Sequence, residues 1–309
     1  MTERVSVFAP SPQLTVTVED LDGQPDVHLH AGGQGFWQAR MITALGSPVT
    51  LCCALGGETG RVLRHLLAEH DIEVRARDVT ARNGAYVHDR QDGDRNQVVE
   101  QRPDPLTRHE LDDLYELAVV AGMDSGVAVL SGSVDESAAE VVPVSVYERL
   151  TTDLVRNGCR VVVDLAGDRL SAALAGTPTV VKVSHEELLE DGRADDDSVA
   201  GLTKAARAMI DDGVEVVVVS RAADPTLAVY EDTELLVAGP SLAPVDTRGG
   251  GDSMTAGIAA AFAQGKDIEA ALRLGAAAGA LNVTRHGLGS GSGDAVRTLV
   301  ERVEITQAG

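Results

Sequence analysis

The sequence predicts an α/β fold: a three-layer α/β/α sandwich with a mostly parallel central sheet and a small β-sheet lid. Three observations carry this expectation. Short valine-rich apolar runs recur along the chain, helical patterns separate them, and four early segments alternate apolar with polar residues instead. Strands that alternate with helices imply a parallel sheet covered on both faces.

In chain order, "VTLCCALGG" (49–57) reads as a strand buried on both faces, followed by the helix "ETGRVLRHLLAEH". "VAVLSG" (127–132), "RVVVDL" (160–165), "TVVKV" (179–183) and "EVVVVS" (215–220) repeat the strand pattern. Among them lie the helical stretches "VSVYERLTTDLVRNG" and "SVAGLTKAARAMIDDG", the second ending in a glycine suited to a helix C-terminus. "LTVTVED" (14–20), "DVHLH" (26–30), "GAYVHDR" (84–90) and "NQVVEQR" (96–102) are the alternating segments, divided by the turn signals "DGQP" and "QDGD". They read as half-exposed antiparallel strands, too few for a domain of their own. A projecting sheet built from about 14–30 and 84–102, acting as a lid or subunit contact, fits within one domain spanning 1–309. After residue 250 the pattern is almost wholly helical.

Composition narrows the function. The net charge is −22 and the pI near 4.6. A surface this acidic argues against nucleic-acid or anionic-membrane partners, which need basic patches. It also means that a bound phosphate must rely on local donors. No apolar run approaches the roughly 18 residues of a membrane span, and the N-terminus lacks a targeting layout. Cys52, Cys53 and Cys159 are too few and too unevenly spaced for a disulfide framework or a zinc site. A reducing cytoplasm is the expected location.

The chemistry concentrates in "VDTRGGGDSMTAG" (245–257). Three glycines directly before a helix can present bare backbone N–H groups to a phosphate, reinforced by the helix dipole. Asp252, just inside that helix, can accept the proton of an attacking hydroxyl. A plain turn with a capping aspartate has the same local pattern.

"DTRGGGDSMTAG" resembles the second signature of the ribokinase-like PfkB family of carbohydrate kinases, usually DTxGAGDxFxAG. "GGQGFWQARMITALG" (32–46) resembles the first, about GGKGxNVAxxLxxLG. "GGETG" (56–60) also resembles a segment of the family, while "FAPSP", "SGS" (131–133) and "VDLAGDRLSAAL" (163–174) are similar to segments of its phosphofructokinase and tagatose-6-phosphate kinase branch. The resemblance implies a ribokinase-like fold, ATP and Mg2+ as cofactors, and a sugar or sugar phosphate as acceptor. It makes Asp252 the base and Gly249, Gly250 and Gly251 the anion hole. On the acceptor side it points to Gln13, Gly32, Gly33, Gln34, Trp37 and Arg82. On the nucleotide side it points to Ser184, Glu187, Ser220, Arg221, Thr247 and Asn282, with Glu187 reaching the metal through water. A homodimer through the lid follows by analogy.

Several positions depart from the family pattern. An aspartate that holds sugar hydroxyls is replaced by Gln13, the lysine of GGKG by Gln34, and an asparagine by Trp37. The indole can stack on a ring; equally, Trp37, Met41 and Leu45 form one buried helical stripe. Arg82 matches the arginine of a "TRxN" segment, with a solvated loop residue as the plain alternative. The NxxE motif appears as Ser184-His185-Glu186-Glu187, which is also a capping box. The family's glycine-containing phosphate loop becomes "SRAADPT" (220–226), in which Arg221 could supply charge. "GLGSGSG" (287–293) lacks dinucleotide-binding spacing, and His28 with His30 lacks a third metal ligand. The expected function is an ATP-dependent sugar or sugar-phosphate kinase. A nucleoside or other small-alcohol kinase, and a weakly catalytic ligand-binding protein on the same scaffold, stay open as alternatives.

Overall fold

The computed structural model describes residues 3–93, 95–132 and 141–308. In chain order the first strands and helices are β1 (Val5–Phe8), β2 (Gln13–Leu21), β3 (Gln24–Gly32), α1 (Gln34–Ala44), β4 (Val49–Gly56), α2 (Gly57–Ala68), β5 (Glu73–Val79), β6 (Ala85–Asp89), β7 (Asn96–Gln101) and α3 (Arg108–Met123). Next come β8 (Val127–Ser131), α4 (Val144–Arg156), β9 (Arg160–Asp164), α5 (Gly167–Leu174), β10 (Val180–Ser184), α6 (His185–Glu190), α7 (Val199–Asp211) and β11 (Val216–Arg221). The remainder is β12 (Asp224–Tyr230), β13 (Thr233–Ala238), α8 (Gly250–Ala263), α9 (Ile268–Asn282), α10 (Gly293–Val300) and β14 (Glu304–Gln307).

The main sheet has the order β14-β13-β12-β11-β10-β9-β8-β1-β4-β5. From β11 to β5 every pairing is parallel, and β12, β13 and β14 add an antiparallel edge. Successive residues of each buried strand feed two separate cores. Val162 packs under α1, α2, α8, α9 and α10, while Val161 and Val163 pack under α3 to α7. This is why the valine runs show no polar face: both sides of the pleat are covered.

Two expectations are corrected here. The four-stranded lid, ordered β3-β2-β6-β7, is mixed rather than antiparallel, because β2 and β6 run parallel. The chain leaves the lid after β3, builds α1 through β5, and re-enters beside β2 in the same direction. The second correction is β14: the region after 250 ends in a strand that pairs with β13. Four residues are too short a stretch for a period-2 pattern to stand out. β5, rich in charge, escapes the apolar-run reading because it is an edge strand.

The lid has two chemically distinct faces. The cross-strand row Leu29–Val16–Val87–Val99 is apolar, and the adjacent row His30–Thr15–Tyr86–Glu100 is polar. Thr15, Tyr86 and Glu100 face the cleft between lid and body.

Candidate active site

The cleft lies at the carboxyl ends of the parallel strands, where open α/β sheets bind ligands. Its volume is about 1440 Å³, larger than the roughly 300–1,000 Å³ of a single small-molecule pocket, so two ligands can lie side by side. One arm is an apolar groove that includes Val237, Pro240, Leu242, Ala276, Ala280 and Val283. The other arm runs under the lid along Gln13, Gly33, Gln34 and Trp37.

The N-terminus of α8 stands between the two arms. Gly249 caps it in the left-handed region, at φ 68°, where a side chain is strained. Its turn is tied down by Asn282, whose Nδ2 donates to Arg248 O at 2.8 Å. Each glycine meets a different neighbour. A Cβ on Gly251 would come 2.5 Å from Lys182 Nζ, whereas one on Gly250 would meet Val283 Cγ1 at 3.2 Å. The first N–H groups of α8 have no intrahelical carbonyl to bond, so they face the cleft together with the positive end of the helix dipole.

Asp252 sits in the first turn and lines the cleft floor. Burial pushes its carboxyl up to about 7; the like charge of Asp164 adds to this, while Lys182 and a hydrogen bond from Gln34 oppose it. A carboxylate poised near neutral pH suits a general base.

A buried polar network supports this turn. Asp164 accepts hydrogen bonds from Lys182 Nζ at 3.1 Å, Gln38 Nε2 at 2.8 Å and Thr255 Oγ1 at 2.8 Å. Ser131 Oγ donates in turn to Gln38 Oε1. All five side chains are buried. Burial alone would lower Lys182, but the carboxylates of Asp164, Glu187 and Asp252 outweigh it and hold the ammonium above its usual range. The sequence reading missed Lys182 and Asp164. The available signal was a lysine inside "TVVKV", a run otherwise buried on both faces.

The other expected site residues divide into two groups. Gln13, Gly33, Gln34, Trp37, Ser184, Glu187, Ser220 and Thr247 all line the cleft with Asp252 and the three glycines. Trp37 does so while also packing on the core. Ser184 and Glu187 form the capping box of α6: Ser184 N donates to Glu187 Oε2 at 2.7 Å, and Glu187 N donates to Ser184 Oγ at 3.2 Å. That box engages only one of the Glu187 carboxylate oxygens.

Four expected residues lie outside the cleft lining. Arg82 is bound to Asp104 on the surface, at 2.9 and 3.2 Å. Gly32 instead lets β3 pass Thr15, since a Cβ there would lie 2.5 Å from Thr15 Oγ1. Arg221 is turned into the β11–β12 hairpin, donating to Pro225 O at 3.3 Å and facing Asp224 at 3.8 Å. Asn282 is buried and acts on backbone, holding Arg248 O and accepting from Gly289 N at 2.9 Å. Ser133, the last residue of "SGS", lies outside the described residues. The altered phosphate loop is the tight turn of this hairpin; Ala222 takes the left-handed conformation there, at φ 50°, and lines the cleft.

Among the described residues no cluster of three or more His, Cys, Asp or Glu side chains could cage a metal. Glu187 does fit magnesium, which keeps several waters and takes one or two carboxylates plus phosphates. Among the described residues no helix is long and apolar enough to cross a membrane.

Comparison with known proteins agrees with this geometry. Residues 7–294 match the model of the pfkB family carbohydrate kinases. The chain is 31% identical over 262 residues to the ATP-dependent 6-phosphofructokinase isozyme 2 of Escherichia coli, covering 83% of this chain and 82% of that one. It is 26% identical over 279 residues to the 1-phosphofructokinase of Bacillus subtilis, covering 90% and 89%. The crystal structure of phosphofructokinase-2 from Escherichia coli in complex with potassium superposes with a TM-score of 0.85 at 27% identity, covering 97% of this chain and 99% of that one.

Proposed function

The chain belongs to the pfkB family of carbohydrate kinases, and we propose that it moves the γ-phosphoryl of ATP onto a hydroxyl of a sugar phosphate. The observation that carries this reading is Asp252, raised to about 7 at the mouth of a three-glycine helix N-terminus. The acceptor hydroxyl gives its proton to Asp252. The N–H groups after Gly249 hold the migrating phosphoryl, and Lys182 beneath Gly251 adds a fixed positive charge. Such a reaction depends mainly on positioning and on preorganised charge. The apolar groove takes the nucleobase, and the arm under the lid takes the sugar. Glu187 would hold the waters of a magnesium ion bound with the nucleotide, and the ion would supply positive charge to the phosphates.

We read 1–309 as one kinase domain that works in the cytoplasm as a homodimer. The support for the dimer is the outer face of the lid, where Leu29 and Val99 are 49% and 53% exposed in one apolar row with Val16 and Val87. Sedimentation should give a dimer that Leu29→Glu splits; a monomeric wild type sinks this part.

ADP release from MgATP over free sugars, ketose phosphates and nucleosides tests the activity, with Asp252→Asn in parallel. One phosphorylated sugar should turn over, and the variant should lose about 10²-fold or more. Turnover only with nucleosides, or unchanged turnover in the variant, overturns the assignment.

A further inference from the structure

Three arginines meet where the lid touches the loop before α8, and Asp246 is the carboxylate they face. Arg90 at the end of β6 takes it, at 3.5 Å, with only 13% and 11% of the two side chains exposed. Arg95 and Arg248 have no ion-pair partner among the described residues. Arg95 is half-buried, its guanidinium 4.9 Å above the Tyr86 ring, and its Nε is buried without a hydrogen-bond partner. Arg248 is anchored through its backbone: its N–H donates to Asp246 Oδ1 at 3.1 Å and its carbonyl accepts from Asn282. Its side chain is exposed and lines the same cleft as Arg95.

Two guanidinium groups that line one cleft and repel each other are unfavourable unless an anion lies between them. Burial lowers the Arg95 pKa and the charge of Arg248 lowers it further, while Tyr86 and Asp246 oppose the shift only in part. The neighbouring His88 is pushed down to about 4 by burial and then by Arg95, Arg90 and Arg248. This cationic spot opens onto a chain of net charge −22, so it is local architecture rather than general surface character.

We propose that Arg95 from the lid and Arg248 from the anion-hole loop form a two-armed clamp that takes a phosphate group and draws the lid onto the body. Guanidinium groups suit this task because each offers a planar fork of donors to phosphate oxygens. The source of the phosphate is either the acceptor or the nucleotide. The inference rests on the kinase reading only for its choice of probes.

The test reads binding without turnover. Trp37, the one tryptophan of the chain, lines the cleft, so its fluorescence is titrated with fructose 6-phosphate, with fructose as the uncharged control, and with MgATP. Arg95→Gln and Arg248→Gln should each weaken a phosphorylated probe about tenfold or more. The double variant should lose less than the product of the two, as expected for groups sharing one ligand. Loss confined to fructose 6-phosphate assigns the phosphate to the acceptor, and loss confined to MgATP assigns it to the nucleotide. Without ligand, Arg248→Gln should melt no lower than wild type, because its exposed side chain leaves and a like-charge repulsion goes with it. Unchanged binding of both probes, an equal loss for fructose, or a lower unliganded melting temperature of Arg248→Gln overturns the clamp. A protein that binds through these arginines yet never releases ADP overturns the proposed reaction and leaves the clamp standing.

Discussion

Lys182 donates to Asp164 at 3.1 Å, with 7% and 3% of the two side chains exposed, and the same ammonium lies directly beneath Gly251. One residue therefore balances the buried Asp164 and places positive charge under the proposed phosphoryl site. Structure and chemistry are joined at a single atom, Lys182 Nζ.

Removing that atom should damage both. Lys182→Met leaves Asp164 buried without its counter-charge, a change that typically costs about 3–5 kcal/mol. Urea denaturation at pH 7 checks this, and activity per folded molecule should also fall. A variant as stable as wild type would mean that Gln38 and Thr255 satisfy Asp164 on their own.

The three glycines should differ in tolerance. Gly250→Ala needs only a small shift of Val283, so activity should stay within about threefold of wild type. Gly251→Ala drives a methyl against Lys182 Nζ and should lose about 10²-fold or more. Steady-state kinetics of the two variants side by side check this, and an equal effect would mean that Lys182 moves aside for the added methyl.

Asp252 predicts two pH effects of defined sign. The base must be ionised, so kcat/KM should rise with pH and level off above an apparent pKa of about 7. A carboxyl raised on folding lends stability that is fully present below its unfolded pKa and is lost as pH rises through about 7. Asp252→Asn should therefore melt above wild type at pH 8, by a margin that shrinks toward pH 4. A constant margin across that range would remove Asp252 as its cause.

Ala222 holds a backbone conformation that favours glycine, at φ 50°. Ala222→Gly should raise stability by up to about 1 kcal/mol, the relief of strain exceeding the entropy that glycine loses. Because Ala222 also lines the cleft, the KM for MgATP should fall as well. Thermal melts and ATP titrations measure the two effects independently.

Much of this was legible along the chain. The glycine run before Asp252 announces a helix N-terminus that opens on bare backbone, because spacing along the backbone is itself the geometry. The valine runs announce buried parallel strands for a similar reason: a residue's side of the sheet follows from its parity. Ser184 and Glu187 illustrate a shared signal, since the spacing that suggests a metal-facing motif is also the spacing of the capping box that forms.

Arg82 and Arg221 show where such reasoning stops. Each sits in a segment that resembles a ligand loop, yet Arg82 meets Asp104 and Arg221 meets Asp224 and Pro225. A long side chain reaches whichever partner folding brings near, and local sequence does not hold that information.

The sequence by itself determined the layered α/β fold, the lid segments, and the helix start that bears Asp252, all of which depend on neighbours within a few residues. Only the tertiary structure decided the parallel pairing of β2 with β6, the Lys182–Asp164 floor, and the meeting of Arg95 with Arg248. Each of these joins residues from strands or loops far apart in the chain, and their contacts are set by packing between elements rather than by periodicity within one.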